Sequence, residues 1–336
     1  MAQLMLGTKK VLMQVVHEGR SLSTLFDAFN EVERPAIQSL TYATLRDWTH
    51  AQIRLYKHLS KKPSKELDVL LTVAAMLINN RGRDQNQYAV PTIVNEAVKA
   101  AAMSPKTKHA QGLTNAVLRK VASTTLCQAE MHGQFGLPFP DWWLRRIRTA
   151  YPDQWESICR RQQEPPPLTL RVNQMMNTRA DYEAKLEHAG IVYQTISEIA
   201  GIPLRSALMI DVPLPVSQLP EWWDGNLFDK ILLDVPCSAS GIVRRHPDIV
   251  FLRKQQDIVH LVETQRAILE NVWMMLKNGG TLLYLTCSIF PEEGEEQITR
   301  FVRDHPNALR LEAPGQLLPS EHHDGFFYGL LKKHQP

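Results

Sequence analysis

Leu227-Phe-Asp-Lys-Ile-Leu-Leu233 is an apolar strand pattern that runs directly into a loop, Asp234-Val-Pro-Cys237-Ser-Ala-Ser-Gly241, carrying an acid and a thiol. The same arrangement recurs downstream, where the strand pattern Thr281 to Leu285 runs into Thr286-Cys287-Ser288. Between the two, Gln256 to Leu276 has helical spacing and Lys277-Asn-Gly-Gly280 reads as a turn. Strand, helix and strand in that order predict two parallel neighbours joined by a right-handed crossover, with their carboxyl ends about 5 Å apart. Such strand ends are where α/β sheets place their sites. A single free cysteine reads most simply as a small core residue. Two at matched strand ends read as a site opening on one crevice. A helix from Glu292 to Arg303 follows, and Leu309 to Leu311 and Gly325 to Leu331 complete the sheet as a possible antiparallel pair.

Upstream the pattern changes. Apolar residues at helical spacing in Val11-Leu12-Val15-Val16, Leu22-Leu25-Phe26-Phe29, Ile37-Leu40-Leu45 and Leu67 to Ile78 predict an all-α bundle over residues 1–125. Pro91 sits where a helix can begin, and Gly112-Leu-Thr-Asn-Ala-Val-Leu-Arg119-Lys120 begins another. Residues 126–220 form a connector and a small α+β subdomain, with prolines at 138, 140 and 152, paired Trp142 and Trp143, a strand at Leu168 to Asn173 and a helix at Arg179 to Ala189. Residues 221–336 are the α/β domain.

The 336 residues, 44% hydrophobic and 22% charged, suit several globular domains and exclude a disordered or fibrous chain. Four cysteines without a CxxC pair supply neither a disulfide scaffold nor a zinc-ribbon spacing, which points to a reducing compartment, the cytoplasm by default. The longest apolar run, Val69 to Ile78, is about half a membrane span, and Lys9 and Lys10 interrupt the start too early for a signal-peptide core. Net charge is +3, but residues 1–125 carry 17 Lys+Arg against 9 Asp+Glu. A basic first third ahead of an acidic remainder suggests a phosphate-seeking module. A basic helical domain that binds no nucleic acid is the plainer alternative.

These motifs, in this order, resemble the RNA (cytosine-5) methyltransferases, specifically the bacterial 16S rRNA enzymes of the Sun or RsmB type. Val94-Asn-Glu-Ala-Val and Gly112 to Arg119 match a NusB-like helical domain, and Pro165-Pro-Pro-Leu-Thr-Leu-Arg-Val-Asn173 matches a linking subdomain. Asp234 to Ser238, Gly241-Ile-Val-Arg-Arg-His-Pro-Asp248, Thr286 to Ser288, Pro291-Glu-Glu and Leu317 to Phe327 match a class I methyltransferase domain. The resemblance implies a multidomain chain: an all-α NusB-like bundle, an α+β linker, and an α/β Rossmann-like domain. It also implies rRNA as partner and S-adenosylmethionine as family cofactor.

The chemistry explains two thiols. C5 of cytosine is a poor nucleophile, but a thiolate adding to C6 makes C5 electron-rich enough to take a methyl group, and a second group must help the adduct break down. The resemblance implies Cys287 as nucleophile, Cys237 as the group assisting release, and Asp234 as a contact to both the cytosine edge and the cofactor. An acid there stabilises charge developing at N3. The target base must be unpaired or flipped out. Arg244, Arg245 and His246 fit phosphate or base contacts beside the crevice, with Arg171, Arg119 and Lys120 as further RNA contacts. Positive side chains at a helix end also serve the helix dipole, which is the plainer reading of Arg119 and Lys120.

One expected part is missing. Family members carry three strand-helix units, about 90 residues at about 30 per unit, before the strand that ends at the catalytic acid. Here six residues separate Pro220 from Leu227, and the sixteen glycines include no GxG turn for a cofactor. The α/β domain therefore reads as truncated, without its cofactor-binding half. Three hypotheses follow: an RNA binder without catalysis and without bound S-adenosylmethionine, an enzyme whose cofactor half comes from a partner chain, or a protein-interaction remnant. Without those units the strand ending at Leu233 becomes an edge whose Ile231-Leu232-Leu233 run is apolar and lacks the charges that usually protect edges, a place for self-association.

Overall fold

The structure is a computed structural model that describes residues 1–79, 88–124, 137–166, 179–188 and 225–334. Five helices build the first body: α1 (Ala2–Glu18), α2 (Arg34–Tyr56), α3 (Lys65–Asn79), α4 (Val90–Met103) and α5 (Gln111–Ser123). Met5, Leu12 and Val15 of α1 fall on one stripe and are buried. Every residue of α3 from Leu67 to Met76 is buried, Asp68 and Thr72 among them, so α3 runs through the middle of the bundle. Pro91 stands in the first turn of α4, where its missing N–H costs nothing.

The linker contributes α6 (Asp141–Ala150), α7 (Trp155–Arg161) and α8 (Arg179–His188). Trp143 of α6 is fully buried and meets Phe290 edge-on at 5.0 Å. The Tyr151 hydroxyl donates to the Ile289 carbonyl at 2.9 Å. The linker thus braces the chain just beyond Cys287. The expected strand at Leu168 to Asn173, and Arg171 within it, lie outside the described residues.

The α/β domain runs β1 (Phe228–Asp234), the short α9 (Ile249–Leu252), α10 (Gln255–Met274), β2 (Leu276–Thr286), α11 (Glu295–Asp304), β3 (Ala308–Leu317) and β4 (Phe326–Lys333). The sheet order is β1-β2-β4-β3, with β1 parallel to β2 and the other two pairs antiparallel. The expected crossover and antiparallel pair are both present. The expected turn Lys277 to Gly280 lies inside β2 as an irregularity: Leu276 pairs with Phe228, but the next partnership is Thr281 with Lys230. Gly279 makes the excursion possible with φ +83°, a left-handed conformation suited to glycine.

Among the described residues β1 pairs only with β2. Along β1 only Leu233 is buried, whereas Leu282 and Tyr284 of β2 are fully buried. Leu227, Phe228 and Leu232 are exposed at the edge. No helix among the described residues is long and apolar enough to cross a membrane.

Candidate active site

Pairing of Asp234 with Leu285 brings the two strand ends level. Their loops bring the Cys237 and Cys287 sulfurs to 3.4 Å. Both cysteines are half-buried, reachable from one side. Cys159 differs: it is fully buried in the linker core, and burial pushes its thiol up to about 12. A hydrogen bond from Cys237 holds the Cys287 thiol below its ordinary value, while the same bond, reinforced by burial, holds Cys237 well above it. The bond thus favours the charged form at Cys287 relative to Cys237. Asp234 is exposed at the end of β1, close enough for its charge to oppose ionisation of Cys287.

Close backbone contacts fix the loops. Gly241 donates its N–H to the Cys287 carbonyl, and Gly325 donates to the Gly241 carbonyl, each at 2.9 Å. A Cβ on Gly241 would lie 2.1 Å from the Gly325 oxygen, so only glycine admits this stitch. Arg253, following α9, donates to the Ser238 and Cys237 carbonyls at 3.0 and 3.3 Å. Gln265 of α10 donates to the Pro236 carbonyl at 2.9 Å.

The centre of the support is Glu293, fully buried in the turn Pro291–Glu293. One carboxylate oxygen accepts from the Ser238 N–H at 2.7 Å and from Gln265 at 3.0 Å. The other accepts from the Ser238 and Ser288 hydroxyls at 2.5 and 2.6 Å. Sequence reading takes Pro291-Glu-Glu as a motif at a helix start and misses this role. The adjacency of a serine to each cysteine was the available signal.

The basic segment divides in two. Arg244 is buried, its guanidinium held by the carboxylate of Asp324 and donating to the Ser320 carbonyl at 2.8 Å. The RNA contact expected of Arg244 is therefore corrected: a guanidinium enclosed by its own protein clasps the 320–324 loop and does not face RNA. Arg245 pairs with the other Asp324 oxygen but is partly exposed, and His246 is exposed. The same segment joins the two bodies. Arg46 of α2 donates to the Arg244 carbonyl at 2.7 and 3.1 Å, Asp248 accepts the Leu22 N–H at 3.0 Å, and Trp48 meets Phe251 edge-on at 5.8 Å. Arg119 and Lys120 lie exposed on α5, with Arg119 donating to Asn115 at 3.0 Å.

Of the residues expected to hold S-adenosylmethionine, the described chain supplies Asp234. No group of three or more His, Cys, Asp or Glu suited to a metal occurs among the described residues.

Two cysteine sulfurs 3.4 Å apart at the ends of neighbouring parallel strands, joined to a helical bundle, are the arrangement set against known proteins. The model of the 16S rRNA methyltransferase RsmB/F family matches residues 165–332, and the NusB family model matches residues 8–123. The ribosomal RNA small subunit methyltransferase B of Vibrio cholerae is 30% identical, with 96% of this chain and 95% of that protein covered. The Proteus mirabilis protein of the same name is 31% identical, with 96% and 97% covered. The chain belongs to the 16S rRNA methyltransferase RsmB/F family. The solved structure of PH0851 shares the fold with a TM-score of 0.65 at 16% identity, covering 98% of this chain and 99% of that one. The alignment with the Vibrio protein spans 424 positions against the 336 residues here, which leaves at least 88 positions without a counterpart in this chain.

Proposed function

We propose that this chain binds rRNA and retains the cytosine-addressing half of the family reaction, while lacking the means to bind S-adenosylmethionine by itself. The observation that carries the reading is the 3.4 Å thiol pair surviving at the end of a strand whose other edge has no described neighbour. The Cys287 thiolate adds to C6 of a flipped-out cytosine, Asp234 stabilises the charge that reaches N3, and Cys237 handles the proton when the adduct breaks down. S-adenosylmethionine supplies a methyl group to C5 in the family. Holding it in line needs orienting contacts beyond the one that Asp234 could make.

RNA contact is assigned to the basic bundle, with Arg119 and Lys120, and to Arg245 and His246 beside the crevice. Filter binding of the full chain to 16S rRNA should weaken steeply as salt rises, because phosphate contacts release counterions. Replacing Arg119 and Lys120 by alanine should reduce the logarithmic salt slope by roughly 0.7–0.9 per lost contact. Salt-independent binding, or none at low salt, would favour the protein-interaction reading.

Self-association through β1 is the second expectation. Leu227, Phe228 and Leu232 are exposed on a strand that, among the described residues, pairs along one edge only. Sedimentation should show concentration-dependent oligomers that Leu232→Lys disperses. A monomer at all concentrations would remove this surface from the account.

A further inference from the structure

We propose that Glu293 is the positioning residue of the thiol pair: its buried carboxylate locks the Cys237 and Cys287 loops together. This deepens the reading of Cys287 as nucleophile and Cys237 as release group, and rests on it.

Each cysteine is followed by a serine, and both serine hydroxyls point at one Glu293 oxygen, at 2.5 and 2.6 Å. The loops are therefore tied through a common acceptor one residue beyond each thiol. Ser288 in turn accepts the Phe290 N–H at 3.0 Å and contacts the Ser240 hydroxyl at 2.9 Å, and Ser240 accepts the Ile289 N–H at 2.9 Å. These hydroxyls have a fixed direction: Ser240 donates to Ser288, and Ser288 donates to Glu293. An amide in place of the carboxylate sets its N–H₂ group, in either orientation, against two donors: the Ser238 and Ser288 hydroxyls, or the Ser238 N–H and the Gln265 amide.

Glu293 itself is held by the sheet. The Tyr284 hydroxyl donates to the Glu293 carbonyl at 2.9 Å, and a Cβ on Gly294 would meet the Phe327 ring at 2.7 Å, so the turn lies flat on β2 and β4. Glu293 touches no substrate, and acts through Ser238 and Ser288. Its charge opposes ionisation of both thiols.

The test uses the full chain without RNA, so its failure is distinct from failure of the RNA chemistry. Alkylation of Cys287 by iodoacetamide, followed by peptide mapping against pH, reads the charge effect. Closure of the Cys237–Cys287 disulfide by diamide reads the geometry: two thiols lose two electrons and two protons, and the azo bond of diamide becomes a hydrazine. Glu293→Gln should move the alkylation midpoint to lower pH and slow closure between about tenfold and a hundredfold, the scale of an ångström-level misplacement. Glu293→Asp keeps the charge and withdraws it by one methylene, so closure should slow while the midpoint stays. Ser238→Ala with Ser288→Ala should likewise slow closure alone. A folded Glu293→Gln protein with unchanged midpoint and closure rate would overturn the proposal. Should that variant not fold, wild-type closure in Glu293→Asp or in the double serine variant would overturn it equally.

Discussion

Asp324→Ala should lower the stability of the α/β domain by about 3–5 kcal/mol, the scale for removing one partner of a buried ion pair. The Arg244 and Asp324 side chains are 2% and 3% exposed, so the substitution leaves a guanidinium charge in the interior held by the Ser320 carbonyl. The penalty comes from that stranded charge more than from lost attraction. Arg245→Ala is the internal comparison. Its side chain is 37% exposed and removing it leaves Asp324 paired with Arg244, so the change should cost about 0–1 kcal/mol. Urea unfolding followed by tryptophan fluorescence measures both. Equal, small effects would mean that the clasp is dispensable and that Arg244 is free to turn outward to RNA.

The second large effect concerns the thiolate. Incubated with 16S rRNA in deuterated water and without a methyl donor, the chain should exchange the C5 hydrogen of its target cytosine for deuterium. Cys287 adds to C6, the electron-rich C5 takes a deuteron, and loss of the original hydrogen with departure of the thiolate restores the base. Cys287→Ala should abolish the exchange. Cys237→Ala should leave addition intact but slow turnover by roughly 10²–10⁴, the usual range for removing a positioned proton carrier. Because the hydrogen bond from Cys237 lowers the Cys287 thiol, exchange should rise with pH and level off below the ordinary thiol range. Exchange surviving in Cys287→Ala would assign the nucleophile elsewhere.

Much of this site was legible in the sequence because it depends on local patterns. Two apolar runs, a helix between them and a cysteine beyond each strand suffice to predict neighbouring parallel strands and thiols in one crevice, where the sulfurs stand 3.4 Å apart. What was not legible is long-range pairing. Arg244 looks like its neighbour Arg245 in a basic loop, and its burial against Asp324, 80 positions away, depends on how the 320–324 loop closes. Glu293 looks like an ordinary acid opening a helix. Its role arises because the turn at Pro291 is pressed between the sheet, α10 and both cysteine loops, which no local spacing encodes. The Lys277 to Gly280 excursion was read as a turn because its glycine content is that of one. Continued pairing on both sides keeps it within the strand.

On the function proposed above, the chain keeps the thiol chemistry of its family and lacks an adequate seat for the methyl donor. Titration calorimetry of the full chain with S-adenosylmethionine, followed by incubation with unmodified 16S rRNA and methyl-labelled cofactor, tests it most directly. The account predicts no saturable heat and no label in the RNA. Saturable binding together with label that disappears in Cys287→Ala would contradict it, and would place the cofactor on residues other than those considered above.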